Sequence, residues 1–163
     1  MADDGEQAEA LLRFLEAHPD FDYVWQDYGC LPQELIDLEN GKVLQTRSEP
    51  EQEAFGEMLL CANLLYLGAP VLILLDDEYM KRFWTSCEAW LSMQECTPTG
   101  LQPAPAAGRG HIICLDGTAP VKIGALRGMW ANATIEEACD HLAGDNIEVT
   151  NKGDKAKCLS KLE

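Results

Sequence analysis

The chain is short of positive charge: 12 Lys and Arg stand against 28 Asp and Glu, a formal net charge of −16 over 163 residues. A field of that sign repels phosphate backbones and anionic lipid, and no local basic cluster offsets it outside the lysine-bearing end. Neither nucleic acid nor a membrane is therefore an expected partner. Long hydrophobic runs are lacking too. The longest apolar stretch, Leu64 to Leu75, is interrupted by Gly68 and Pro70 and is too short to span a bilayer. The start, MADDGEQAE, has neither the basic nor the apolar segment of a secretory signal, so the expected location is the cytoplasm. Histidine is rare, and none of the seven cysteines belongs to a CxxC pair, which argues against a metal site. The thiols read as reduced and mostly structural, behaving as small hydrophobes. No glycine-rich phosphate loop is present, which excludes a dehydrogenase-type dinucleotide site.

What the chain does have is arranged around Val71 to Met93. The run Val71 to Leu75 stops on Asp76-Asp77-Glu78, as a short strand buried on both faces would. Met80, Trp84, Cys87 and Leu91 then recur at helical spacing, which predicts a helix with these four on its inner stripe. Asp76 and Asp77 suit a helix N-terminus better than a magnesium site, and Glu78 and Arg82 have the spacing of an ion pair. Glu88 borders the apolar stripe. A carboxylate there needs a local reason, because burying a charge without a partner is costly.

Around this centre the length suits a single domain over 1–150. Helices are expected at 6–17, 51–67, 121–130 and 134–142, the last opened by a capping box of Thr134 and Glu137. Residues 34–50 read as a loop with a helical turn at Glu34 to Leu38, residues 97–110 as a flexible Pro/Gly-rich loop, and residues 151–163 as a polar tail. Strands are expected at Phe21 to Tyr28, Val71 to Leu75, His111 to Leu115 and, weakly, Asn146 to Thr150. That alternation predicts an α/β fold: three layers around a mostly parallel sheet of about four strands. Ligands bind such sheets beyond the carboxyl ends of the strands, which here carry Asp27 to Cys30, Asp76-Asp77 and Asp116-Gly117.

Three blocks carry a resemblance. Trp25-x-Asp27-x-x-Cys30-x-x-Gln33 resembles the W-x-D-x-x-C-x-x-Q block of fungal heterokaryon-incompatibility (HET) domains, and Tyr66-Leu67-Gly68-Ala69 resembles their I-Y-x-x-A segment. Tyr79 to Glu88 is similar to their aromatic-x-x-R-x-W-x-x-Q-E block, with Cys87 where glutamine is usual. The last stretch also resembles the Trp…Glu helix of Toll/interleukin receptor (TIR) domains, a related flavodoxin-like fold. The resemblance spans about residues 7–116.

It implies cleavage of the nicotinamide–ribose bond of NAD or NADP, with Glu88 as the catalytic residue. It further implies Trp25, Asp27, Cys30, Tyr79, Arg82 and Trp84 around the substrate, no metal and no tightly bound cofactor. Self-association or pairing with other TIR-like domains, in signalling or defence, goes with it. Loss of nicotinamide builds oxocarbenium character on the ribose, which a nearby carboxylate can stabilise. The plainer reading is an ion pair of Glu88 with Arg82 or Lys81 in a non-catalytic interaction module. Read from the residues alone, Trp25 and Trp84 are expected in a core rather than on a stacking face, and Cys30 has no histidine nearby in sequence to activate it. TIR-type sheets begin with a strand that becomes central, and the polar, acidic residues 1–10 offer none. Either the chain is a piece of a longer protein, or the Tyr23 strand pairs directly with Val71, or another chain fills the gap.

Overall fold

The computed structural model describes residues 4–37, 40–105, 109–115, 117, 120–149 and 152–162. In chain order these form α1 (Asp4–Ala17), α2 (Asp27–Cys30), β1 (Leu35–Ile36), β2 (Val43–Gln45), α3 (Glu49–Gly68) and β3 (Val71–Leu75). A 3₁₀ turn (Tyr79–Lys81) then leads to α4 (Phe83–Ser92), β4 (Gln94–Thr97), β5 (Gly100–Pro103), β6 (Gly110–Cys114), α5 (Val121–Trp130), α6 (Ile135–Ala143) and α7 (Lys152–Leu162).

The protein is mixed α/β. Its parallel sheet consists of β3 and β6, in register from Val71 opposite Gly110 to Leu75 opposite Cys114. The other two sheets among the described residues are antiparallel hairpins, β1–β2 and β4–β5. Among the described residues the parallel sheet therefore has two strands rather than about four. Residues 21–26 have no regular structure, so the Tyr23 segment does not pair with Val71. The reason is local: the Gln26 side chain accepts from the Gly29 N–H at 2.8 Å and turns the chain into α2. Of the expected last strand only Glu148 pairs, in a single parallel bridge with Arg82, and Thr150 lies outside the described residues.

Periodicity and caps locate the helices well. α6 opens as expected: Thr134 Oγ1 accepts from the Glu137 N–H at 3.2 Å, and the Glu137 carboxylate accepts from the Thr134 N–H at 2.9 Å. Replacing Thr134 with alanine removes half of this box and is expected to cost about 1 kcal/mol. A thermal melt should show a fall of roughly 2–4 °C.

Other segments depart from expectation. Residues 34–37 start a hairpin instead of a helical turn, and Leu38 lies outside the described residues. Much of the 97–110 segment is the second half of the β4–β5 hairpin, with Gly100 at φ +113° just past its tight turn. Thr97 Oγ1 closes that turn on the Gly100 carbonyl at 2.7 Å, so Pro98 and Gly100 mark a turn between strands. Residues 106–108 lie outside the description. The polar tail is a helix, α7, because it has an inner side: Cys158 is buried with its Sγ 4.0 Å from that of Cys87, and Lys155 donates to the Gly144 carbonyl at 3.0 Å.

The core packs Ile73 and Leu75 of β3 against Phe83, Trp90 and Leu91 of α4, Leu126 and Trp130 of α5 and Leu142 of α6. Before Val71 only Leu31 and Ala62 are buried apolar residues among those described. None of the seven cysteines, all described, forms a disulfide; Cys87 and Cys158 are buried, whereas Cys30, Cys61 and Cys96 are exposed.

Candidate active site

The strand and helix that Asp76 joins fix the site. The Asp76 carboxylate is buried, accepts from the Glu78 N–H at 3.0 Å and lies 3.6 Å from the Arg82 guanidinium. Glu78 pairs with Lys81 at 2.7 Å, so the expected Glu78–Arg82 pair does not form. Asp77 pairs with Lys122. The helix breaks at Arg82, whose ψ is 132°. There the backbone bonds to the distant Glu148, with Phe83 N–H donating to the Glu148 carbonyl at 2.8 Å and Glu148 N–H to that of Lys81 at 2.7 Å. Thr85 Oγ1 and Ser86 Oγ take up the carbonyls of Tyr79 (2.6 Å) and Met80 (3.2 Å) freed by the break.

This break resets the helical phase. The inner stripe of α4 becomes Phe83, Cys87, Trp90 and Leu91, and Trp84 is left 41% exposed. The expectation that Trp84 shares the inner stripe with Met80 is thus overturned. Trp84 faces a cleft of about 480 Å³, whose walls include Asp27, Arg82, Thr85, Glu88 and Glu148. Four of the seven residues expected at a site (Asp27, Arg82, Trp84 and Glu88) meet in that one cleft.

Glu88 is half-buried. Burial pushes its carboxyl up to about 7; a hydrogen bond from the Tyr66 hydroxyl opposes that rise, the charge of Asp27 adds to it and Arg82 opposes it. Burial, with the charge of Glu88 behind it, holds the Tyr66 phenol above its ordinary range, so it stays a donor. No ion pair to Glu88 forms among the described residues. The carboxyl is therefore neither locked to a base nor fully solvated. It sits dry enough to titrate near neutrality and open enough to meet a ligand.

The other three expected residues are not in the cleft wall. Tyr79 is buried beneath Arg82, whose guanidinium carbon lies 5.8 Å from the ring centre. Trp25 stands edge-on to Tyr66, ring centres 6.2 Å apart, and so braces the Glu88 partner from behind. Cys30 is exposed, and its sulfur bonds only locally, accepting from the Gln26 N–H at 3.4 Å and facing the Val24 carbonyl at 4.0 Å. Asp116 lies outside the described residues. Among the site residues that were not anticipated, Tyr66 and Glu148 matter most. Tyr66 sat in a recognised block, but only the packing of α3 on α4 brings its hydroxyl to Glu88. Glu148 had no sequence signal, since its place depends on the bridge to Arg82.

No metal-holding group of His, Cys, Asp or Glu occurs among the described residues. No described helix is long and apolar enough to cross a membrane. No protein-family model, curated protein or solved structure matches this chain.

The two neighbours of Glu88 should tune it in opposite directions. Tyr66→Phe removes the hydrogen bond that favours the carboxylate, so the Glu88 midpoint is expected to move to higher pH. Asp27→Asn removes a repelling charge and should move it lower. Carboxyl NMR titration of the two variants checks both signs; a shift of both in one direction would contradict the arrangement.

Proposed function

We propose that the protein is a TIR-like α/β domain that hydrolyses the nicotinamide–ribose bond of NAD or NADP through Glu88, with self-association supporting activity. The observation that carries this is the half-buried Glu88, in no ion pair among the described residues, in an open cleft beside Asp27 and the exposed Trp84. A planar cationic ring suits that cleft: Trp84 offers a π face, and among the described wall residues Asp27, Glu88 and Glu148 outnumber the cationic Arg82. The C1′–N bond breaks, and its electron pair leaves on the nicotinamide nitrogen, neutralising the ring. The Glu88 carboxylate stabilises the positive ribose that remains. Water then adds at C1′ and gives its proton to Glu88, whose midpoint near neutrality suits an acceptor. Nicotinamide release is accordingly expected to rise with pH and level off above about 7.

The experiment is NAD turnover by the purified chain at high concentration, read as nicotinamide release, with Glu88→Ala beside it. Release lost in the variant supports the reading; release at an equal rate sinks it. The second reading, a non-catalytic interaction module, draws on the large apolar surface before residue 66, and absence of release from an assembled protein would favour it.

A further inference from the structure

Helix α3 is apolar along most of its length, yet Ala62 is its only buried residue. Leu60 and Leu64 are 66% and 64% exposed, and Glu53 and Glu57 are exposed on the same side. Positions 53, 57, 60 and 64 step by four, three and four, the spacing of the seam by which one helix receives another. The seam is divided in character, with two acids in its first half and two leucines in its second. Neither Glu53 nor Glu57 has an ion-pair partner among the described residues.

We infer that this seam is the docking face for an α-helix of another protein, one carrying two basic residues opposite Glu53 and Glu57 and two apolar residues opposite Leu60 and Leu64. Charge complementarity decides the occupant. A second copy packed parallel would set Glu53 and Glu57 against their own counterparts. Packed antiparallel, it would set them against leucines and bury carboxylates without partners. Both arrangements are unfavourable, so a second copy is not the occupant of this seam. A basic helix meets neither penalty, and the net charge of −16 also speeds its encounter with the chain. The leucines supply the desolvated contact and the glutamates the register, as in paired helices whose charged positions select partner and orientation. The face lies on the helix that also delivers Tyr66 to Glu88, but the inference does not depend on the activity of that site.

The test uses synthetic helices of about three heptads. One carries Lys at the seam positions of its first half and Leu in its second, another has the reverse order, and a third has Glu in place of Lys. Fluorescence anisotropy at about 150 mM salt reads their affinity for the full chain. One Lys peptide is expected to bind at least about tenfold tighter than the Glu peptide. Leu60→Asp with Leu64→Asp should abolish that binding, and Glu53→Lys with Glu57→Lys should reverse the preference. All four side chains are exposed, so circular dichroism of the variants should match that of the parent. Equal affinity for Lys and Glu peptides, or Lys-peptide binding untouched by the charge reversal, would overturn the inference. So would a dimer in sedimentation that Leu64→Asp disperses, since the occupant would then be a second copy.

Discussion

A Glu88→Gln protein is expected to release nicotinamide at least about a hundredfold more slowly than the parent, the usual cost of removing one group that stabilises transition-state charge. The same substitution should make the protein more stable at alkaline pH. Glu88 holds its proton up to about pH 7 in the folded chain, against an ordinary value of 4.5. Between those values the folded state binds more protons than the unfolded, so stability falls as pH rises through the window. The contribution of protonated Glu88 is whole below about pH 4.5 and lost above about 7. Glutamine has the shape without the charge and escapes that loss. At pH 8 Glu88→Gln is therefore expected to be more stable by about 2–3 kcal/mol, and near pH 4 the two proteins should converge. Urea unfolding at both pH values measures this. A glutamine variant less stable at pH 8 would mean that the carboxylate holds the fold together, as in the scaffold reading.

The largest expected loss of stability belongs to Trp90→Ala. Trp90 is fully buried at the centre of the α4 stripe, and its indole N–H donates to the Ala133 carbonyl at 3.0 Å, tying α4 to the start of α6. Truncating such a side chain costs about 3–5 kcal/mol through lost burial and the cavity left behind. A domain of this kind has about 5–15 kcal/mol in all, so the variant should be largely unfolded well below the parent's transition. Trp90→Phe keeps most of the volume and loses mainly the hydrogen bond, and should fall between the two. Urea midpoints for the three proteins test the order. A Trp90→Ala midpoint equal to that of the parent would show that the core does not close on this residue.

The features legible in the sequence were those set by local chemistry. Helices α1, α3, α5 and α6 follow from apolar spacing and caps, and strands β3 and β6 from short runs bounded by acids or glycine. The misread segments were decided by partners far along the chain. Phe21 to Tyr28 alternates like a strand, but no strand edge among the described residues pairs with it, and Gln26 turns it into α2. The lysines after Asn151 suggested a solvated tail, yet Cys158 finds Cys87 on α4. The same division applies at the site. Glu88 was legible as a carboxylate out of place on an apolar stripe. The outward turn of Trp84 was not, because it follows from a helix break that Glu148 makes. Tyr66 needed two helices to pack before its role existed.

The bridge between Arg82 and Glu148 also bears on how the cleft comes into being. Its walls come from three widely separated parts of the chain, around Asp27, Arg82 to Glu88, and Glu148. Each contact closes a long loop, and long loops close late because their entropy must be lost before the contact rewards it. The cleft is thus a product of the completed topology and not of any local unit. During refolding, the environment that lifts Glu88 should appear only with the last cooperative phase, after the helices have formed.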